Sequence, residues 1–273
     1  METLKVSNDY VFKRIFGHKN NREILKDLLE AILPDIEIKT LTVQKDVTLE
    51  RKLIENKLGI LDITATLNDN TVVNIEMQVA NQYNIIDRSL FYWSGLYHDG
   101  LMKGQDYIDN ARTICICILD YNEFEEGPFH EIATITRQYK NLQLTDKLEL
   151  HYIQLPKFRE KCKVISSKLD EWLTFISTNN LEELRMIDNK YVKQATEELE
   201  YLTGDEAERR IAFLREKAIR DETSAINHAT RLGKAEGKNE EKKEIAKKML
   251  EKGCELSLII EITGLTKEEI EKL

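Results

Sequence analysis

The chain has little of what marks several large classes of protein. Its four cysteines, Cys115, Cys117, Cys162 and Cys254, show no paired zinc-ligand spacing. An unpatterned set of this kind suits a reducing cytoplasm, not a disulfide framework. No stretch reads as a signal peptide and no apolar run is long enough for a bilayer, so a soluble cytoplasmic protein without membrane attachment is expected. The glycine-rich phosphate loop and the nucleophile elbow are both missing, which argues against an NTPase or a serine hydrolase. The five histidines, His18, His98, His130, His151 and His228, are scattered. His18, just after Phe16-Gly17, reads either as a group that approaches DNA or as a plain surface residue. A basic excess is missing too: the net charge is −9, with 25 acidic against 19 basic residues in 1–160 and 24 against 21 beyond. A protein held to nucleic acid by general phosphate attraction carries a basic patch. Any DNA affinity is therefore expected to be weak unless basic residues cluster locally.

What the chain does have is a patterned hairpin, "GILDITATLNDNTVVNIEMQ", at 59–78. The odd positions Leu61, Ile63, Ala65 and Leu67, then Val73, Ile75, Met77 and Val79, alternate with polar residues as half-buried strands do. Asp69-Asn70 supplies the turn chemistry. If both odd rows face one core, the numbers of paired residues must add to an even sum. A two-residue loop at 69–70 would pair Asn68 with Thr71, an odd sum, so the pattern predicts a three-residue loop or a bulge. Asp62 then lies opposite Glu76 or Gln78, and the three share the other face. Clustered carboxylates repel unless a positive group offsets them. A hard divalent cation does this, and Mg²⁺ needs only one or two carboxylates beside water and phosphate oxygens. The alternative is that both acids decorate a solvated face with Thr64, Thr66 and Asn74.

Five segments, in order, carry a resemblance: "NDYVFKRIFG" at 8–17, "LDITATLNDNTVVNIEMQ" at 61–78, "RSLFYWSGLY" at 88–97, "KGQDY" at 103–107 and "LHYIQLPKF" at 150–158. Together they resemble the Rpn family of recombination-promoting nucleases, also described as PD-(D/E)XK transposase-like nucleases. The likeness covers about residues 4–160 and, more loosely, the tail. It implies an α/β (α+β) fold with a restriction-endonuclease-like αβββαβ core. It also implies a DNA endonuclease dependent on Mg²⁺ (or Mn²⁺, Ca²⁺), with a role in recombination, mobile-element biology or defence. By position, Asp62 and Glu76 would be metal ligands, and Gln78 stands where the wider superfamily often has lysine. Lys13 or Arg88 would then supply positive charge. Arg88 and Tyr92, four apart on a helix, share one face. They read either as a phosphate clamp or as a surface arginine beside a half-buried tyrosine. Asp9 reads either as an acid near the metal or as a helix-capping residue. A different class of function stays open, a catalytically silent, oligomeric DNA- or protein-binding module that keeps the nuclease fold.

Helices are expected at about 8–16 and 21–33, the second closed by Pro34, with a strand near 41–50 and a helix at about 83–102. "TICICILD" at 113–120 reads as a buried strand, and "IATITRQ" with "LELHYIQL" as another pair. The expected divisions are a nuclease-like domain at 1–165, a helical extension at 166–232, a weakened helix or linker at 233–244, and a small helical module at 245–273. In that module Ile260, Gly264 and Ile270 have the spacing of a helix-turn-helix core. Glu268, Glu269 and Glu271 in "TKEEIEKL" would repel phosphate, so the expectation is a docking bundle that makes a homo-oligomer.

Overall fold

The computed structural model describes residues 2–44, 63–68, 70–101, 103–162 and 164–273. Helix α1 (Asp9–Phe16) starts where the Asn8 side chain accepts the Tyr10 and Val11 N–H groups, which its first turn would otherwise leave without partners. Val11, Phe12, Ile15 and Phe16 fall on one face at helical spacing and are wholly buried. Helix α2 (Arg22–Ile32) buries Ile24, Leu25, Leu28, Leu29 and Ile32 in the same way. Leu33 leaves helical geometry (φ −119°, ψ 65°), as expected for the residue before Pro34.

Strand β1 (Leu41–Val43) pairs antiparallel with β2 (Ile63–Leu67), and β2 with β3 (Thr71–Gln78). The pairs Ile63–Ile75, Ala65–Val73 and Leu67–Thr71 have even sums, and the last of them leaves three residues between the strands, one of the two outcomes, loop or bulge, that parity allows. Asn68 takes up a left-handed φ of 53° that asparagine tolerates. Its Oδ1 accepts from the Lys39 N–H at 2.8 Å and its Nδ2 donates to the Glu37 carbonyl at 2.8 Å. Asp62, Asp69 and most of the strand expected near 41–50 lie outside the described residues.

Helix α3 (Ile85–Asp99) then leads to β4 (Arg112–Leu119), which runs parallel to β3. Strand β5 (His130–Thr134) is followed by a small hairpin, β6 (Thr136–Arg137) with β7 (Leu142–Gln143), and by β8 (Leu148–Gln154). β8 pairs parallel with β4 and antiparallel with β5, giving a six-stranded sheet in the order β1-β2-β3-β4-β8-β5. β4 is buried almost throughout, as a central strand of a parallel set covered on both faces should be. The order α1, β1–β3, α3, β4 is the αβββαβ arrangement that the resemblance implies.

The helices that follow are α4 (Leu155–Lys161), α5 (Lys168–Ser177), α6 (Leu181–Arg185), α7 (Lys190–Gly204) and α8 (Glu206–Glu251). One face of the sheet, with Ile63, Ile75, Ile114 and Ile116, shares a core with α1, α2, α5 and α7. Phe16, Trp172 and Phe175 stack edge-on there at 5.5–6.1 Å, and the Trp172 Nε1–H donates to Asp27 at 2.9 Å. The compact units are 1–219 and 220–273, and the helices from 168 to 204 bury their apolar faces in the core of the first. Residues 233–244 lie within α8. No helix of the described residues is long and apolar enough to cross a membrane.

The second unit has its own small core. The end of α8, α9 (Leu256–Thr263) and α10 (Lys267–Ile270) enclose Ala246, Ile259, Leu265 and Ile270. The breaks between these helices fall at Gly253 and Gly264, both with positive φ. Gly264, with φ 65°, donates its N–H to the Ile260 carbonyl, a left-handed cap that a side chain would strain. Ile259, not Ile260, is the fully buried position on α9.

Candidate active site

The even-numbered face of β3 carries Asn74, Glu76 and Gln78 toward the side of the sheet that α3 covers. That side is not a solvated surface. Glu76 is only 4% exposed and Asn74, which accepts a hydrogen bond from Thr64, is buried as well. In the parallel register Glu76 lies opposite Cys117, and Cys117 opposite Tyr152. A carboxylate in that setting is costly unless it is paired. Arg88, one turn into α3, pairs with it, placing Nη2 2.5 Å from Oε1 of Glu76. The Gln78 Nε2–H donates to the same oxygen at 2.5 Å. Arg88 also lies over the Tyr92 ring, 5.4 Å from its centroid, so the i,i+4 face read from the sequence is built. Its Nε is buried with no hydrogen-bond partner among the described residues.

The surrounding side chains are tied together by hydrogen bonds. Ser89 Oγ lies 2.7 Å from the Tyr152 hydroxyl, whose pKa burial pushes up to about 12, while the bond to Ser89 lowers it. The Trp93 Nε1–H donates to the Thr113 carbonyl. Tyr121, just beyond β4, packs on the same cluster. Its hydroxyl is held above the ordinary tyrosine range by burial first, then by Glu123, Cys117 and Glu76, with Arg88 opposing. The sequence reading did not single out Tyr121. Its one signal is position: it follows the carboxyl end of a parallel strand, where open α/β sheets place ligands.

Other expected residues fall elsewhere. Asp9 is a first-turn acid behind the Asn8 cap, and its carboxylate is engaged by Arg215 of α8, with Nε at 2.6 Å. Lys13 lies half-buried in the last turn of α1. Cys115 and Cys117 pack in the core, as expected. Neutralising Asp9 leaves a mostly buried guanidinium without its counter-charge, a loss of about 3 kcal/mol. Asp9→Asn should therefore lower the melting temperature of the first unit while leaving any DNA cleavage at the wild-type rate. A cleavage defect larger than the loss of folded protein would put Asp9 in the site.

The donors here are oxygens, the Glu76 carboxylate and the Gln78 carboxamide, which suit a hard cation such as Mg²⁺, Mn²⁺ or Ca²⁺ better than a soft one. One acid and one amide do not make a site alone. No group of three or more His, Cys, Asp or Glu that could hold a metal occurs among the described residues. The fit depends on a second acid, and the sequence supplies Asp62 one residue before β2.

Residues 6–229 match the family described as PD-(D/E)XK nuclease family transposase. Residues 239–273 match the C-terminal helix-turn-helix domain of the Rpn/YhgA-like nuclease family. Nucleases of the first kind generally use divalent metals, and a helix-turn-helix domain is a DNA-binding type. No curated protein and no solved structure matches the chain.

Proposed function

We propose that this chain, which belongs to the PD-(D/E)XK transposase-like nuclease family, is a metal-dependent DNA endonuclease. The observation that carries the reading is Glu76, a buried carboxylate on β3 shared by Gln78 and Arg88, at a position where the resemblance implies a metal ligand. Asp62 and Glu76 would hold Mg²⁺, Mn²⁺ or Ca²⁺. Such an ion, when bound, activates water and stabilises charge developing on a phosphodiester. Gln78, beside Glu76, orients the water. Arg88, whose side chain keeps part of its surface exposed, holds a phosphate oxygen, and Tyr92 braces the guanidinium from below. The C-terminal unit then acts as a DNA-binding module; the helix-turn-helix match favours this over the docking bundle suggested by Glu268, Glu269 and Glu271. A task in recombination or mobile-element biology accords with the transposase-like family.

The test is supercoiled plasmid incubated with purified protein and Mg²⁺, Mn²⁺, Ca²⁺ or EDTA. Nicking or linearisation with metal, and none in EDTA, is expected. Absence of cutting with every metal would leave the second reading, a silent binding module, which the occupation of Glu76 Oε1 by Arg88 favours.

A further inference from the structure

Apart from the C-terminal unit, the chain's acidity leaves open where the first unit could grip a duplex, and the hairpin between β5 and β8 answers that. Residues 132–145 contain no Asp or Glu, though the whole chain has 49, and they carry Arg137 and Lys140. β6 and β7 pair as Thr136–Gln143 and Arg137–Leu142, outside the main sheet, and every residue from 133 to 144 is exposed. Tyr139, at 70% exposure, stands at the tip with Lys140 Nζ 5.4 Å from its ring centroid. Lys140 and Asn141 both adopt left-handed backbone, φ 60° and 50°. For lysine that conformation is strained, and such strain persists where a particular presentation is held. A bare two-stranded ribbon is also marginal by itself, so one kept this exposed gains from a partner.

We propose that this hairpin is a DNA-binding arm, with Arg137 and Lys140 on phosphates and the tip, Gln138 to Asn141, in a groove. A two-stranded ribbon fits the major groove, and Ile135, Leu142 and Leu144, exposed on the same side as Arg137, suit apolar contact with the thymine methyl groups there. The charge contrast selects this partner: a local +2 in a chain of −9 meets phosphate without the repulsion the rest of the surface offers. β5 lies three strand spacings from β3, about 14 Å, so the arm anchors DNA apart from the Glu76 site. The proposal rests on the nuclease reading only in taking DNA as the partner.

The test uses the full chain in EDTA, so that binding is read without cutting. Affinity for a fluorescent duplex of about 30 base pairs is measured by anisotropy over a salt series, for wild type, Arg137→Ala/Lys140→Ala and Tyr139→Ala. The double variant should bind about tenfold or more weakly and reduce the slope of log affinity against log salt by about two. Tyr139→Ala should weaken binding and keep the slope. All three should melt alike, since the substituted side chains are exposed. Equal affinity and slope for the double variant, or no duplex binding by wild type, would overturn the arm even if metal-dependent cutting were seen. A dimer that dissociates in the double variant, with duplex binding unchanged, would reassign the hairpin to self-association and overturn it too. Duplex binding through the arm by a wild type that cuts plasmid with none of the metals would instead sink the nuclease reading and leave the arm standing.

Discussion

Asp62→Ala and Glu76→Gln are each expected to lower metal-dependent plasmid cleavage about a thousandfold or more. The metal's contribution to stabilising a developing phosphodiester charge is several kcal/mol, and about 4 kcal/mol converts to that factor. The two substitutions reach the same loss differently. Glu76 is the buried partner of Arg88, whose side chain keeps 23% of its surface exposed. Making Glu76 neutral leaves that guanidinium only half satisfied, so Glu76→Gln should also destabilise the first unit by about 3 kcal/mol, the low end for a broken buried pair. Arg88→Ala strands the opposite charge and should destabilise similarly, but it removes a phosphate contact and no metal ligand. Its cutting should fall by a smaller factor, about tenfold to a hundredfold, and the fall should be the same with Mg²⁺ and Mn²⁺. Folded fraction from circular dichroism, run beside the plasmid assay, separates loss of chemistry from loss of structure. Wild-type cutting by folded Glu76→Gln would place the catalytic centre elsewhere.

The half of this site that follows from strand periodicity was readable from the chain. The alternation at 61–79 fixed which residues of β3 share a face, and parity required a three-residue loop or a bulge, which the Leu67–Thr71 pair resolves as three intervening residues. The i,i+4 spacing likewise put Arg88 and Tyr92 together. What periodicity does not carry is which distant group a side chain meets. The bond between Arg88 and Glu76 depends on how α3 lies across the sheet. Asp9 is claimed by Arg215, 206 positions away, which no local rule could anticipate. The same holds for the helices after 166. Their mixed charge reads as an exposed extension, yet Trp172 and Phe175 complete the core around Phe16. His130 and His151, scattered in sequence, become neighbours only because β5 and β8 pair antiparallel.

That last pairing makes stability depend on pH. Glu149 of β8 is in an ion pair with Arg112 of β4 and lies 2.7 Å from His151 Nε2, while His151 Nδ1 lies 2.8 Å from His130 Nε2. The bond to His151, assisted by Arg112 and resisted by burial, pulls the Glu149 pKa down to about 2 from 4.5. Burial first, then the neighbouring His151, lowers His130 from 6.5 to about 4, with Glu149 opposing. Both folded values lie below the unfolded ones, so both groups contribute stability at high pH that is lost on acidification. For His130 the contribution is complete above 6.5 and disappears as pH falls to 4; for Glu149 it is complete above 4.5 and disappears as pH falls through 2. Between pH 6.5 and 5 the unfolded chain alone takes up the His130 proton, which costs up to 1.4 kcal/mol per pH unit. Discounted for partial exposure, about 1–2 kcal/mol of stability should be lost over that interval. His130→Gln keeps a hydrogen-bonding group toward His151 but does not titrate, so its urea midpoint should fall less than that of wild type from pH 7 to 5. Both tryptophans, Trp93 and Trp172, lie in the first unit, so their fluorescence follows that unit's unfolding without contribution from residues 220–273. Parallel pH profiles for wild type and His130→Gln would mean that His130 titrates in the folded chain as it does in the unfolded one, and that the chain from Arg112 to His130 does not hold it neutral.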